Sequence, residues 1–246
     1  MKSPVVSIIT PTLDDGPALK RTAASIDSQS WKAVEHIIVN GADSEPEFAS
    51  GSSSSRRIIN TPPRGVYDAV NHGLRVCTGD IIGILNGNDH LASTDVLERI
   101  VAEFNLPGTD FVYGHVYFSD SNGRITRRYR SDRYSVDSLA HGFAPPHPSL
   151  YISRQTLERI GLYDCNYVTA ADFDMFVRLF SDPSLNGRLL DMYFVEMSRG
   201  GLSGSWRNRL LTNPRERLKS LKSHGFRTGP LSLLPRYIRL FKEYLK

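Results

Sequence analysis

The chain has 246 residues, 40% of them hydrophobic and 23% charged, which is the composition of a globular protein with a sizeable core. No stretch approaches the ~20 apolar residues of a membrane span, and the apolar run near the start, of about six residues, is too short for a signal peptide. The two cysteines, Cys77 and Cys165, lie far apart without metal-ligand spacing. They fit a reducing compartment as two small buried side chains, and we expect a cytoplasmic protein.

The net charge of +4 is unevenly distributed along the chain. Residues 204–246 carry eleven Lys and Arg against two Glu, so this segment has a charge of +9 and the rest of the chain −5. A strongly basic tail on a mildly acidic body predicts an anionic partner for the tail. Charge alone leaves three classes of partner open: a membrane surface, a nucleic acid and an acidic substrate.

Strands and helices alternate through the first half of the chain, which predicts a parallel, doubly wound α/β sheet. Buried strands are expected at 5–10, 34–40, 56–60 and 80–85, and helices at 16–28 and 66–77. Ser93 is expected to cap the next helix, whose apolar stripe is Leu97, Ile100, Val101 and Phe104. Residues 43–55, with Pro46 and four consecutive serines, predict a surface loop.

The second half lacks this alternation. Strand signals at 109–118 and 124–129 flank a turn sequence and predict a hairpin. The remaining elements are expected as strands at 147–153 and 189–197 and helices at 154–160 and 172–180. We therefore expect one domain over residues 1–205, with a nucleotide-binding first half and a second half that holds another substrate. A helical tail over residues 206–246 follows it.

The tail contains two helix signals. Asn213, Pro214 and Glu216 fit the N-cap, first and third positions of a capping box, and Gly225 can end that helix. The apolar residues of the last segment fall on one face: Tyr237, Ile238, Phe241, Tyr244 and Leu245. Basic residues lie mostly off this face, as in a basic amphipathic helix. Two interpretations stay open, membrane docking through residues 227–246 and packing on the body with a solvated basic face.

The segment LNGNDHL, residues 85–91, ends an apolar strand in Asn86, Gly87, Asn88 and Asp89. A carboxylate that follows a parallel strand lies at the carboxyl edge of the sheet, where open α/β sheets bind ligands. A hard oxygen donor there suits a divalent cation that holds a diphosphate, so Asp89 is a candidate metal ligand. The alternative is a surface turn, because Asn, Gly and Asp are ordinary turn residues.

The helix after Gly65 carries a polar stripe. Its apolar positions are expected to face the core: Val66, Val70, Leu74 and Cys77. Asp68, Asn71 and Arg75 then share the opposite face. Such a stripe is usually solvated, but a helix that begins just past a strand end can direct its N-terminus at phosphate. Asp68 and Asn71 are therefore candidates for hydrogen bonds to a base or ribose.

Two carboxylates, Asp172 and Asp174, open the helix at 172–180, where negative charge is favourable on dipole grounds alone. Asp174 has Arg178 at the i+4 position, which is the spacing of a helical ion pair. Asp174 is then the structural carboxylate, and Asp172 is left free. A free carboxylate is a natural general base toward an attacking hydroxyl group, a role worth about 100- to 10,000-fold in rate.

His147 lies between prolines just before a predicted strand. Lone histidines are more often structural, but the prolines predict a rigid turn that fixes the ring, as a site residue requires. The glycine-rich segment at 200–204 predicts either a loop that closes over phosphates or a plain turn. No GxGxxG motif occurs between a strand and a helix, so a dinucleotide-binding site has little support.

The order of these segments, over about residues 4–205, resembles family 2 glycosyltransferases. The segments are SIITPT, IIVNGADS, RGVYDAVNHGLRVCTGDIIGILNGND, HPSLYISRQTLERIGLYD, AADFDMFVRL and GGLSG. Within the family, they look most like bacterial polysaccharide enzymes of the colanic acid biosynthesis type. The resemblance implies a GT-A fold, a Rossmann-like mostly parallel sheet flanked by helices. It also implies inverting transfer from a nucleotide sugar, usually with Mg2+ or Mn2+.

The resemblance further implies roles for single residues. Base and ribose contacts are expected from the ends of the first two strands and from the following helix: Pro11, Leu13, Asn40, Gly41, Asp68 and Asn71. Asp89 is expected to bind the metal, Asp172 to act as the base and His147 to lie near the acceptor. We also expect Arg64 to stabilise the departing diphosphate and Asn88 to contact the nucleotide sugar.

Two departures from the family pattern bear on the nucleotide and the metal. The second strand ends in Asn40-Gly41, where such enzymes often have Asp-Gly, and Asn86 and Asn88 stand where further carboxylates are common. An amide oxygen can bind a cation but brings no charge. We therefore expect a weakly bound metal, with the donor phosphates supplying most of the ligands.

The sequence thus predicts an inverting transfer from a UDP-, GDP- or dTDP-sugar to a hydroxyl of a saccharide acceptor in bacterial surface-polysaccharide assembly. The acceptor is expected to be lipid-linked, with the tail on the inner membrane surface, and no nucleic-acid partner is expected. One alternative is a sugar-phosphate nucleotidyltransferase, which usually has a glycine-rich basic loop after the first strand. Residues 10–20 have one glycine and a single lysine at their end. The depleted metal motif keeps open another alternative, a protein that binds a nucleotide sugar without turnover.

Overall fold

The computed structural model describes residues 3–13, 16–42, 56–120, 122–132, 134–198 and 212–238. Its elements in chain order are β1 (Val6–Thr12), α1 (Pro17–Asp27), β2 (Val34–Asn40), β3 (Arg56–Asn60), α2 (Val66–Val76), β4 (Ile81–Ile84), β5 (His90–Leu91), α3 (Val96–Phe104), β6 (Phe111–Ser119), β7 (Ile125–Tyr129), α4 (Val136–Ala140), β8 (Leu150–Ser153), α5 (Arg154–Ile160), α6 (Ala171–Ser181), β9 (Gly187–Met197) and α7 (Asn213–Ser223). Short 3-10 turns cover His147–Ser149 and Pro230–Leu233. The predicted loops at 43–55 and 200–204 lie outside the described residues.

The described strands form one mixed sheet in the order β3-β2-β1-β4-β8-β6-β9-β5, with β7 paired to β6. Strands β3, β2, β1 and β4 are parallel to one another. Their residues are mostly Val and Ile because helices cover a parallel sheet on both faces. The predicted mostly parallel α/β sheet flanked by helices is confirmed.

Strand β8 reverses the direction in the second half of the sheet. It is antiparallel to both β4 and β6, and β6 is parallel to β9. The beginning of β8 therefore lies at the same edge where β1, β2, β4, β6 and β9 end. This edge, named the site edge below, is where open α/β sheets bind ligands.

Two apolar layers cover the sheet. One layer packs α2 and α6 on the face that includes Ile9, with Phe176 at its centre. The other layer packs α1 and α3 on the face that includes Ile8, with Leu97 fully buried. Ile8 and Ile9 belong to opposite layers because successive side chains of a strand point to opposite faces.

The described part of the tail packs on the body. Leu221 of α7 and Leu233 are buried in the layer that contains α2 and α6, and Tyr237 packs against that layer. Ile238 is 48% exposed, and the other predicted members of its apolar face, Phe241, Tyr244 and Leu245, lie outside the described residues, so the amphipathic face stays a prediction. None of the helices in the described ranges has the length and apolar character needed to cross a bilayer.

Two predicted helix caps differ in the structure. Asp95 rather than Ser93 occupies the N-cap of α3. Thr212 occupies the N-cap of α7, and Glu216 accepts hydrogen bonds from the backbone amides at 168–169 instead of completing a capping box. A capping pattern predicts only hydrogen bonds between residues close in sequence. Here the Glu216 carboxylate instead binds amides distant in sequence.

Candidate active site

Glycines let the loops at the site edge approach one another closely. A Cβ added to Gly41 would lie 2.7 Å from Cδ2 of Leu13, and one added to Gly87 would lie 2.7 Å from Oγ1 of Thr12. Pro11 is buried in β1, whereas Leu13 is 58% exposed just beyond the strand. Of the predicted nucleotide contacts on β1, Leu13 thus presents its side chain to solvent.

Asn40, predicted to contact the base or ribose, is 1% exposed at the end of β2. Its Nδ2 donates to Oδ1 of Asn60 (3.0 Å), and its Oδ1 accepts from the backbone amide of Ala42 (3.1 Å). The side chain therefore holds the ends of β2 and β3 in register. A contact between Asn40 and a nucleotide stays a prediction.

Asp89 is 2% exposed at the site edge. Its Oδ2 accepts from Nδ2 of Asn86 (2.9 Å), and its Oδ1 accepts from the backbone amide of Ser198 (3.2 Å). The hydroxyl of Ser198 donates to the carbonyl of Asn88 (2.5 Å). Asp89 and Asn88 thereby fasten the end of β9 to the loop after β4.

The residues around Asp89 fit a cation in one respect. Burial raises the pKa of Asp89 to about 6, and the carboxylate has no ion pair with any residue in the described ranges. A metal ion would supply the charge that this buried carboxylate lacks. Within the same ranges no three His, Cys, Asp or Glu side chains cluster as metal ligands, so further ligands must come from a substrate.

Asp68 lies in the first turn of α2, which begins after Gly65. Its Oδ2 is buried without a hydrogen-bond partner among the described residues, and Nε2 of His72 lies 3.7 Å away. A buried carboxylate oxygen without a donor is costly unless a ligand completes it. The contact between Asp68 and a base or ribose stays a prediction, which this unpartnered oxygen favours.

Asn71 does not lie on the solvated face of α2 as predicted. It is 3% exposed, its Nδ2 donates to the carbonyl of Tyr163 (2.8 Å), and its Oδ1 accepts from the amide of Tyr163 (3.0 Å). Nδ2 also contacts Sγ of Cys165, which is exposed, contrary to the expectation of two buried cysteines. With both ends of its amide engaged, Asn71 positions the loop that carries Tyr163.

Asp172 lies in the first turn of α6 and meets the first turn of α2. Its Oδ1 accepts from the hydroxyl of Tyr67 (3.3 Å) and from the amide of Phe173 (2.7 Å). Burial and the charge of Asp172 raise the pKa of Tyr67 well above its usual range, so Tyr67 stays protonated and donates. No described residue donates to Oδ2 of Asp172, which leaves this oxygen for a substrate.

His147 reaches the same place from the start of β8. Its Nε2 is 2.8 Å from the hydroxyl of Tyr163, and the Tyr163 ring stacks on Tyr67 with centroids 6.0 Å apart. Burial lowers the pKa of His147, an effect that the charge of Asp172 opposes. The structure therefore brings His147, Tyr67 and Asp172 together, with a neutral imidazole.

Asp174, two residues further along α6, is held by its neighbours. Its Oδ2 accepts from Nε of Arg178 (3.0 Å), as the spacing predicts, and its Oδ1 accepts from the hydroxyl of Ser220 on α7 (2.8 Å). The side chain is buried. The predicted division of roles between a structural Asp174 and a free Asp172 agrees with this geometry.

Arg217 on α7 is a residue of this region that sequence reasoning missed. Its guanidinium lies 4.2 Å from the centre of the Phe173 ring, next to Asp172 in sequence. No motif marks Arg217, because it lies in the basic tail among many similar residues. Arg64, predicted to contact the diphosphate, is exposed in the loop before α2 and forms no side-chain bond within the described ranges.

Comparisons with known proteins agree with this architecture. Residues 7–171 match glycosyl transferase family 2. A PGL/p-HBAD biosynthesis glycosyltransferase of Mycobacterium tuberculosis is 29% identical over 213 residues, which cover 83% of this chain and 81% of that protein.

Two solved structures share the fold at low sequence identity. S. aureus TarS 1-349 in complex with UDP-GlcNAc has a TM-score of 0.70 and 12% identity, over 93% of this chain and 70% of that chain. The longer TarS chain is covered to 41%. The mannosyltransferase PcManGT from Pyrobaculum calidifontis, in complex with GDP-Man and Mn2+, has a TM-score of 0.65 and 16% identity, over 91% of this chain and 68% of that chain. With the GT-A fold and two thirds of its length matched, the chain belongs to glycosyl transferase family 2.

Proposed function

We propose that this glycosyltransferase moves a sugar, with inversion, from a nucleotide-sugar donor to a hydroxyl of a saccharide acceptor in surface-polysaccharide assembly. The observation that carries the proposal is the meeting of Asp172 with the first turn of α2 at the site edge. The neighbours solved with UDP-GlcNAc and GDP-Man support a nucleotide-sugar donor. Its expected contacts are Pro11, Leu13, Asn40, Gly41, Asp68 and Asn88. The narrower likeness to colanic acid enzymes stays a prediction.

The proposed reaction is a single displacement. Oδ2 of Asp172 takes the proton from the acceptor hydroxyl, whose oxygen attacks the anomeric carbon from the face opposite the nucleotide. The bond from that carbon to the diphosphate breaks, and the diphosphate leaves with the bonding electrons. Tyr67 holds Oδ1 of Asp172 by a hydrogen bond, which directs Oδ2 at the acceptor. His147, whose Nε2 is bonded to the Tyr163 hydroxyl, feels the charge of Asp172 and is proposed to lie near the acceptor.

Mg2+ or Mn2+ would be held by Asp89, with Asn88 nearby and the donor phosphates as the remaining ligands. When bound, the metal would neutralise charge that develops on the departing diphosphate. Arg64, exposed before α2, would add positive charge on the same side. Support comes from the uncompensated buried carboxylate of Asp89 and from a structural neighbour solved with Mn2+.

Nucleotide binding is tested by thermal unfolding with UDP, GDP and dTDP, each with Mn2+ and with EDTA. We expect one nucleotide to raise the unfolding temperature of the wild type, and to do so more with Mn2+. Asp89→Asn should lose the Mn2+-dependent part only. An equal response in EDTA would remove the metal from the proposal, and no response to any nucleotide would contradict the donor class.

The tail presents an apolar surface. This surface supports the proposal that the protein docks on the membrane that would hold a lipid-linked acceptor. Leu231, Leu234 and Ile238 are 83%, 52% and 48% exposed, while Leu233 faces the core. The same segment contributes basic residues, each worth about 1 kcal/mol near an anionic surface. Leu231 and Leu234 are therefore expected to enter the interface of an anionic bilayer.

Vesicle co-sedimentation tests this membrane location. Wild-type protein should pellet with vesicles that contain an anionic lipid, and the double variant Leu231→Ser, Leu234→Ser should stay in solution. Leu106→Ser is the control, since Leu106 is an exposed leucine (42%) outside the tail, in the loop after α3. Equal pelleting of all three proteins would contradict membrane docking by this surface.

A further inference from the structure

Arg217 carries a positive charge in the interior of the molecule. It is 8% exposed, and its three neighbours are uncharged. Nε donates to Oδ1 of Asn213 (2.7 Å), Nη1 donates to the carbonyl of Gly142 (3.0 Å), and the guanidinium stacks on Phe173. Within the described ranges Arg217 has no ion pair. The charge of Asp172 raises the pKa of Arg217 but forms no ion pair with it, so this buried charge is only partly compensated and a further anion beside it would be stabilising.

A second arginine borders the same turn. Cδ of Arg236 lies 3.4 Å from the place that a Cβ on Gly142 would take, and the guanidinium lies 5.6 Å from the centre of the Tyr237 ring. Arg236 also has no ion pair in the described part of the chain. Burial and the charge of Arg236 lower the pKa of Arg217 to about 10, against the opposing effect of Asp172. Two guanidinium groups that border one turn, neither in an ion pair within the described ranges, favour the binding of an anion.

This arginine pair approaches Asp172 from the tail. Arg217 stacks on Phe173, the residue after Asp172, and both arginines belong to the tail. The proposed donor contacts lie at the ends of β1, β2 and β4 and on α2, whose first turn reaches Asp172 from another element through Tyr67. Because the base must touch the acceptor hydroxyl, we assign a group bound between Asp172 and the tail to the acceptor.

We propose that Arg217 and Arg236 bind a phosphoryl group carried by the acceptor, so that the acceptor is a phosphorylated saccharide. The planar guanidinium forms paired hydrogen bonds with phosphate oxygens, and the negative charge adds to the partial compensation that Asp172 gives Arg217. The naming of the acceptor rests on the proposed function. The anion site itself rests on the two arginines alone.

Thermal unfolding of the full chain with inorganic phosphate, glucose 1-phosphate and glucose tests this site. We expect both phosphates to stabilise the wild type, glucose 1-phosphate more strongly, and glucose alone to have no effect. Arg236→Gln should bind glucose 1-phosphate about tenfold or more weakly, since a charge-assisted hydrogen bond contributes about 1.5–3 kcal/mol. Arg227→Gln, which removes an exposed basic residue of the same tail, should behave as the wild type.

Arg217→Lys extends the test to the buried partner and keeps its charge, so the protein is expected to fold while binding glucose 1-phosphate more weakly. Equal affinity of Arg236→Gln and Arg227→Gln for glucose 1-phosphate would overturn the site. Loss of the phosphate response in the presence of UDP would assign the anion to the donor site instead. A response no larger to glucose 1-phosphate than to inorganic phosphate would overturn the acceptor assignment. If no nucleotide binds but the Arg236-dependent phosphate response persists, the proposed function fails while the anion site stands.

Discussion

Asp89 and Asp172 both lie at the site edge, but one is enclosed and the other is open. Asp89 is 2% exposed, and both of its oxygens accept hydrogen bonds from uncharged donors. Asp172 is half-buried, and its Oδ2 accepts no hydrogen bond from the described residues. The enclosed carboxylate suits a fixed charge that a cation compensates. The open one suits proton transfer, since the proton must come from a substrate and leave to water.

The largest expected effect is the loss of activity when Asp172, the open carboxylate, is replaced. Asp172→Asn keeps an acceptor for Tyr67 and for the Phe173 amide but removes the base, so kcat should fall about 100- to 10,000-fold. Thermal unfolding and nucleotide binding should match the wild type, as should those of the exposed control Asp137→Asn. Activity within a few-fold of the wild type would exclude Asp172 as the base.

The next effect concerns stability, at the carboxylate two residues further on. Asp174→Ala leaves Arg178 and Ser220 without their buried partner, and the free energy of unfolding should fall by about 3–5 kcal/mol. Urea denaturation measures this loss. Arg159→Ala, which removes a surface ion pair with Asp182, should cost about 1 kcal/mol or less. Similar losses for the two variants would show that Asp174 is not the structural carboxylate.

Acid should destabilise the protein through His36, a buried residue of β2. Burial and Arg56 lower the pKa of His36 from 6.5 to about 3, and its ring is held between Arg56 and Thr10. Below about pH 6.5 the His36 imidazole is protonated in the unfolded chain but stays neutral in the folded chain. The free energy of unfolding therefore falls as the pH drops from about 6.5 toward about 3, by up to about 1.4 kcal/mol per pH unit.

Urea denaturation of the wild type and His36→Gln at several pH values between about 4 and 7 measures this term of the pH dependence. The wild type should lose stability faster than the variant as the pH falls. Parallel curves would mean that the His36 ring is not kept neutral by burial.

The smallest expected effect is on kcat, and it tests whether Tyr67 only positions Asp172. Tyr67→Phe keeps the stack on Tyr163 and removes one hydrogen bond to Asp172. A hydrogen bond contributes about 1 kcal/mol, so kcat should fall about fivefold with the donor KM unchanged. A loss as large as that of Asp172→Asn would make Tyr67 a participant in proton transfer rather than a positioning residue.

Local pattern predicted much of the fold but only part of the site. The parallel strands follow from apolar runs, and the Asp174–Arg178 pair follows from helical spacing, because both are set within a few residues. Strand β5 has two residues, too few to leave a pattern.

The roles of Asn71 and Arg217 were not predictable from local pattern. Asn71 bonds Tyr163, 92 residues away, and Arg217 bonds Gly142, 75 residues away. Such contacts depend on how the helices pack on the sheet. The sequence can name polar residues near the site edge, but packing decides whether each faces a ligand or a neighbouring loop.

The central claim is sugar transfer from a nucleotide sugar by Asp172, and the transfer itself tests it most directly. Radiolabelled UDP-, GDP- and dTDP-sugars would be incubated with a bacterial lipid extract and either wild-type protein or Asp172→Asn. The account predicts that the wild type moves label from one donor into a saccharide product of inverted anomeric configuration, with equal release of nucleoside diphosphate, and that Asp172→Asn does not. Donor that binds the wild type yet stays intact, or product formed equally by both proteins, would contradict it.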